Sequence, residues 1–387
     1  MRTNKMVWIR QHRTLFWSAV VLLVLIVIKV LWVTCADWNI GTAESERKDV
    51  LARRDWLIGK VCVESRQLLM NMPAGIGLQF QGEWALYSCS MLTQALANIS
   101  ELYPEEQEKS VNIADSLIQI VKSDNIRLYD KIRWQEDPLE SLDGDSSHVS
   151  YLSHLAWMIT NYKRIGGSSK YDNLLDSVCE TMNRRILANP NLNLPTYPDE
   201  PIYIPDMMVA IVALHKHGGY DSTVNRWLEK AKTEWIDLNT GLVVSFLSEG
   251  GEKMPIKGSY SALNCYYLTL LGDEAFAKSQ YDCLKEYFRR GGLLPGLKEY
   301  HDQTPWLGID IDAGPILFGL SPSGTAFTIG AATFFGDTDY RNQLLRTAEI
   351  AGHTVSSGGK RHYLLGNLAI VGEAITLAMR TNWKASS

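Results

Sequence analysis

Tyr203-Ile-Pro-Asp206-Met-Met-Val-Ala210-Ile-Val-Ala213-Leu-His-Lys-His-Gly218 is the stretch on which the fold turns. Its helical pattern is apolar nearly all round, carries small residues at Ala210 and Ala213, and stops at Gly218-Gly219. A helix apolar on every side must be buried on every side. Segments 257–271, 322–336 and 360–381 share this character, with Ala262, Gly330, Ala331, Gly366 and Ala369 as their small residues. By contrast, 104–122 and 273–290 are charged on one face, as helices on an outer layer must be.

The periodicity predicts twelve helices, at 44–71, 82–99, 104–122, 147–165, 169–188, 203–218, 221–235, 257–271, 273–290, 322–336, 338–353 and 360–381. Turn signals such as Tyr103-Pro104, Gly166-Gly167, Gly272-Asp273 and Ser357-Gly358-Gly359 separate them. Twelve helices in consecutive antiparallel pairs make an all-α fold, an (α/α)6 toroid of six helical hairpins over residues 44–382. Short β excursions are expected near Leu242–Phe246 and at Gly308–Ile316. No low-complexity linker divides the globular part, so one large domain is expected.

The chain has 387 residues, of which 46% are hydrophobic, 21% charged and 10% aromatic. That composition excludes a disordered, collagenous or disulfide-scaffold protein. A mean hydropathy of −0.11 with a single long apolar run, Leu15–Val33, excludes a polytopic membrane protein. At 1.5 Å per residue the run spans about 28 Å, enough to cross a bilayer once. Lys29 can snorkel from its far end, and Trp17 and Trp32 sit where interfacial aromatics belong. Residues 1–33 hold five cations and no acid, which leaves −10 on the remainder and argues against nucleic acid as a partner. Positive-inside bias then makes 1–14 a cytoplasmic tail, 15–33 an inner-membrane anchor, 34–43 a linker, and the rest a periplasmic domain. A cleaved signal peptide is the rival; the run exceeds a usual h-region of about 7–15 residues and no A-x-A site follows. Trp32-Val33-Thr34-Cys35 is a poor lipoprotein box, although Cys35 keeps that alternative open.

The six cysteines form no CxxC or Cys/His metal spacing, so no structural zinc is expected. Cys62 with Cys89, or Cys265 with Cys283, could bridge neighbouring helices in an oxidising compartment; the alternative is that they are small buried hydrophobes. No phosphate loop, HExxH or nucleophile elbow is present, which disfavours a nucleotide-dependent enzyme, a zincin or an α/β-hydrolase, and no cofactor is expected.

Four stretches, Asp145-Ser-Ser-His148-Val-Ser-Tyr151, Tyr197-Pro-Asp-Glu-Pro-Ile-Tyr203-Ile-Pro-Asp206, Asp237-Leu-Asn-Thr-Gly241-Leu and Asp310-Ile-Asp312-Ala-Gly-Pro, together with the helix order, resemble the six-hairpin barrel superfamily. That superfamily includes glycoside hydrolases, polysaccharide lyases and sugar epimerases. More loosely, the chain is similar to the linalool dehydratase/isomerase family, which works with cysteines and a histidine; here Cys179 falls on an expected outer helix. The resemblance implies a cavity at the mouth formed by the N-terminal ends of the inner helices. Such ends offer unpaired N–H groups that suit polar or anionic ligands.

All six expected entrances are polar and aromatic: Glu83-Trp84, Asp145 to His154, Tyr203 with Asp206, Ser259-Tyr260 with Asn264, Ser321 to Ser323, and Arg361-His362-Tyr363. His148, Tyr151 and His154 are three apart on one helical stripe. Asp206 interrupts an apolar helix, and a buried carboxylate without a partner is expensive, so a functional role is expected. Asp145 or Ser146 reads equally as an N-cap, Ser321 before Pro322 reads as a cap, and His154 as a core histidine. If Gly308–Pro315 is extended, Asp310 and Asp312 share one side and Ile309 and Ile311 the other. Paired acids on a rim can divide into a neutral donor and a charged base, as glycosidic hydrolysis requires, with Asp206, Glu83 or Glu249 as the second carboxylate. A cation site or simple loop capping is the alternative.

The expectation is therefore a membrane-anchored enzyme acting on carbohydrate, with Asp206, Asp310 and Asp312 as acid and base. Glu83, Trp84, Tyr203, Glu249, Tyr260, Trp306, Ser323, His362 and Tyr363 would bind sugar, the aromatic ones by stacking, with His148, Tyr151 and Tyr203 orienting it. A lyase or isomerase would instead use His148 or His154 with Tyr151 or Tyr203. A non-catalytic glycan-binding protein would keep the aromatics and need neither.

Overall fold

A computed structural model describes residues 2–35, 42–73 and 77–384. Six helices form a closed inner ring: α4 (Gly77–Leu102), α7 (Val149–Arg164), α9 (Ile204–His217), α11 (Gly258–Leu268), α13 (Pro322–Phe334) and α15 (Ile370–Arg380). Each packs on the next, and α15 returns to α4. Ala210, Ala213, Ala262, Ala331 and Ala332 are fully buried, and such small side chains let neighbouring inner helices approach closely. Around them lie α2 (Ala43–Val61), α5 (Gln107–Val121), α8 (Asp172–Ala188), α10 (Asp221–Thr233), α12 (Glu274–Phe288) and α14 (Thr338–Gly352). The result is the (α/α)6 toroid, with every inner helix starting at the same mouth.

Three boundaries differ from the sequence expectation. Segment 44–71 breaks into α2 and α3 (Ser65–Asn71), because Glu64 accepts from the N–H groups of Arg66 and Gln67 and starts a new helix. A further helix, α6 (Asp124–Trp134), lies against α4 and buries only Ile126, Tyr129 and Asp130. The segment from 360 opens as a strand, and the last inner helix starts at Ile370.

The strands pair two by two, all antiparallel: β1 (Ile202–Tyr203) with β2 (Phe246–Leu247), β3 (Arg289–Arg290) with β4 (Gly296–Leu297), β5 (Leu307–Asp310) with β6 (Gly314–Leu317), and β7 (Thr354–Ser357) with β8 (Lys360–Tyr363). Gly358 and Gly359, at φ 57° and 78°, supply the left-handed turn between β7 and β8.

The ring closes between first and last hairpins through a buried charge network. Asp49 on α2 receives bonds from Arg53 (3.0 Å), Arg361 (3.1 Å) and Arg380. Glu46 holds Arg341 and Arg380, the latter at 2.9 Å. Burial disfavours the charged form of Asp49, but Arg380 and Arg53 outweigh it and lower its pKa to about 2.

Helix α1 (Arg2–Cys35) stands apart from the barrel core. Its segment His12–Val33 has a mean hydropathy of 2.6 and is the one helix among the described residues long and apolar enough to cross a membrane. Lys29 Nζ donates to Glu349 (3.0 Å) and lies 2.7 Å from His353 Nδ1, tying α1 to the C-terminal end of α14.

Candidate functional site

At the mouth, carboxylates from three separate elements converge. Glu83 projects from the first turns of α4, Asp206 from the first turn of α9, and Asp312 from the turn joining β5 and β6. Tyr87, one helical turn beyond Glu83, keeps partial solvent access although its neighbour Leu86 is fully buried. Both therefore face the lumen.

Asp206 Oδ2 accepts from Thr196 Oγ1 at 2.7 Å. Burial raises its pKa to about 6 and the charge of Asp312 adds to the rise, with the Thr196 bond acting against them. Glu83 is pushed further, to about 8, first by burial and then by the charges of Asp206 and Asp312; Tyr197 and Arg133 act in the opposite sense. Burial and the neighbouring negative charges thus favour keeping a proton on this group of acids, most strongly on Glu83. Desolvated beside these acids, Tyr87, Tyr260 and Tyr267 have hydroxyl pKa values well above the ordinary range, so they remain donors.

Asp310 and Asp312 lie on the same side of their hairpin because one lysine holds both: Lys257 Nζ is 2.8 Å from Asp310 and 2.7 Å from Asp312. The two carboxylates outweigh burial and raise the Lys257 pKa, so its charge is fixed. Their roles differ. Asp310 accepts from the N–H groups of Asp312 (2.9 Å) and Ala313 (3.0 Å) and from Tyr300 (3.0 Å), which makes it the capping acid of the turn. Asp312 accepts from Tyr260 at 2.8 Å, and its backbone carbonyl accepts from Ser323 at 2.7 Å, so it is presented to the lumen from a tethered loop. Tyr203, Phe246 and Tyr260 pack edge to face, with centroids 5.0–6.0 Å apart, beside them.

Other anticipated residues lie elsewhere or differently. His148 is fully buried at a left-handed φ of 49°, paired through Nδ1 with Asp130 of α6, and so departs from the expected helical stripe. Tyr151 turns outward and donates to the Val121 carbonyl on α5 at 3.1 Å. His154 lies deeper than the acids, its ring 4.3 Å from that of Tyr87 and its Nδ1 2.8 Å from Ser90; Nε2 has no hydrogen-bond partner. Burial lowers its pKa to about 3, so the ring is neutral. Trp84 packs against the core, Glu249 is exposed in the loop after β2, and Trp306 is exposed on the outer side of the rim. His362 stacks on Trp56 at 4.6 Å and Tyr363 lies under Arg53 at 4.3 Å; both belong to the α2 side of the closure. Asp145 is fully exposed beside Arg184, and Ser321 caps α13 by accepting from Gly324 N–H.

Thr196, Tyr197, Arg133 and Lys257 act on the acids without having been singled out. Tyr197 stands in the aromatic-Pro-Asp stretch and Tyr87 one turn after Glu83, so both were readable; nothing local marked Thr196, Arg133 or Lys257.

The five described cysteine side chains, Cys62, Cys89, Cys179, Cys265 and Cys283, are free thiols, so neither possible bridge is formed. Among the described residues no three His, Cys, Asp or Glu side chains gather closely enough to hold a metal ion. A separate cavity of about 440 Å³, lined by Gln94, Asn161, Arg164 and Lys216, opens at the opposite end of the ring.

No family model matches the sequence. Among solved structures, a glycoside hydrolase from family 105 of C. acetobutylicum ATCC 824 is similar, at 8% identity and a TM-score of 0.47, covering 76% of this chain and 92% of that one. So distant a likeness carries no chemistry across.

Proposed function

We propose that the protein is a carbohydrate-active enzyme held on the inner membrane by α1, with its barrel in the periplasm, and that it cleaves glycosidic bonds with paired carboxylates. One observation carries the reading: carboxylates from three separate elements, Glu83 on α4, Asp206 on α9 and Asp312 on the β5–β6 turn, converge at the mouth, and burial pushes the pKa of Glu83 and of Asp206 upward. Glycosidic cleavage requires a proton donor to the leaving oxygen and an ionised partner across the sugar. Glu83 is the donor in this scheme and Asp206 the base. Asp312, clamped by Lys257 and Tyr260, orients the substrate and holds up the Glu83 pKa. Tyr87, Tyr203 and Tyr260 supply hydroxyl donors and ring faces suited to sugar. The test is a panel of oligosaccharides with the full-length protein in detergent, scored for new reducing ends. Glu83→Gln and Asp206→Asn should each lower turnover by about 10²–10⁴-fold. Full turnover in both variants would overturn the assignment.

The free, neutral Nε2 of His154 beside Tyr87 favours a second reading, proton abstraction by a lyase, epimerase or linalool dehydratase/isomerase-like enzyme. Unsaturated uronide absorbance, or solvent deuterium at C5 without a new reducing end, would mark it. A glycan-binding protein would instead retain ligand in Asp206→Asn and Asp312→Asn with no turnover to lose.

A further inference from the structure

The mouth is bordered by apolar side chains that none of the described residues covers. On the β5–β6 hairpin, Trp306, Leu307, Ile309 and Phe318 are exposed, Ile309 by 95%. On β5, alternation turns Asp310 inward to Lys257 and Ile309 outward; in the turn that follows, Asp312 reaches the same lysine while Ile311 is exposed. A second group, Leu364, Leu365 and Leu368, is exposed in the loop between β8 and α15. Single exposed leucines need no explanation, but grouped large side chains of this kind mark an interaction surface.

The anchor indicates what covers them. Lys29 lies only four residues before the end of the apolar span at Val33, about 6 Å along the helix, and it is already bonded to Glu349 and His353. The end of the α1 span therefore meets the barrel at the membrane boundary. The meeting point is on the mouth side, because α14 runs antiparallel to the inner helices and ends where they begin. Leu364 N–H donates to the carbonyls of Gly352 (3.0 Å) and His353 (2.9 Å), so the leucine loop adjoins the residue that holds Lys29. The β5–β6 hairpin leads directly into α13, the inner helix behind α14. Arg290, 5.1 Å over the Trp306 ring, adds the aromatic and cationic pairing found at headgroup depth.

We infer that this rim is a second membrane contact: the mouth lies on the same bilayer that α1 spans, with the hairpin tip and the leucine loop in the interfacial layer. The inference rests on the anchor reading given under Proposed function.

Full-length protein carrying one added cysteine at a time, Ile309→Cys at the rim, Ile26→Cys in the span or Ser222→Cys at the far end of the barrel, tests it. Each variant is labelled with an environment-sensitive nitrobenzoxadiazole and reconstituted in 3:1 phosphatidylethanolamine:phosphatidylglycerol vesicles containing spin-labelled lipid. The unsubstituted protein, labelled identically, supplies the background. The expected result is blue-shifted emission and strong quenching at Ile26→Cys and Ile309→Cys, at least about threefold beyond Ser222→Cys. Quenching at Ile26→Cys alone overturns the rim contact and leaves the anchor standing. Quenching at neither overturns both.

Discussion

Replacing Glu83 with Gln should stabilise the protein, and by an amount that grows with pH. The pKa of Glu83 rises from an ordinary 4.5 to about 8, with burial first among the causes and Asp206 and Asp312 next. A carboxyl with a raised folded-state pKa favours folding fully below its unfolded value, and that contribution is lost as pH climbs toward the folded one. At about 1.36 kcal/mol per pH unit, the interval corresponds to nearly 5 kcal/mol above pH 8, and partial solvent access reduces this to about 2–5 kcal/mol. Gln keeps the size and hydrogen-bonding capacity of the neutral acid and cannot ionise. The variant and the parent should therefore have equal stability below about pH 4.5 and diverge steadily from there to about pH 8. Urea denaturation of the detergent-solubilised chain, followed from pH 4 to 9, measures the difference directly. A gap that does not change with pH would show that Glu83 ionises like a surface carboxylate, and the acid assignment would fall with it.

Thr196→Val removes the 2.7 Å donor to Asp206, which favours the ionised form; the acid limb of kcat/KM should move upward from about 6 by about one pH unit once a substrate is found. Asp49→Asn leaves Arg53, Arg361 and Arg380 without their shared counter-ion and should cost about 3–5 kcal/mol in chemical denaturation. In the parent, Asp49's share of the stability, about 2 kcal/mol, is present above its ordinary pKa and is lost as pH falls through about 2. Gly258→Ala would set a Cβ 2.0 Å from the Lys298 carbonyl oxygen, where backbone must move, and should lower stability by about 1–3 kcal/mol in a thermal melt.

The inner ring was legible because burial on every side leaves no polar stripe. Residues 203–218 and 322–336 could hardly be anything else, and the structure places α9 and α13 there within a few positions. The same rule misplaced the last inner helix. Leu364, Leu365 and Leu368 look like core when apolar is taken to mean buried, yet they are exposed, and α15 starts only at Ile370. The failure is informative, since an apolar loop that the barrel does not cover needs a surface outside the barrel. Helix α6 escaped for the opposite reason: its buried face is only three residues wide, too narrow a stripe to read in a polar segment. At the mouth the divide follows energetics. Asp206 is conspicuous in sequence because a charge within an apolar helix is costly. Thr196 and Lys257 are ordinary residues in ordinary loops, and only the fold brings the first against Asp206 and the second against Asp310 and Asp312. The stripe of His148, Tyr151 and His154 failed because His148 takes a left-handed φ before the helix begins. Tyr151 and His154 then face different neighbours, α5 and α4. Acids announce themselves by what they cost, whereas the groups that set their pKa values do so only through position, which is why Asp206 could be singled out from sequence and Thr196 and Lys257 only from structure.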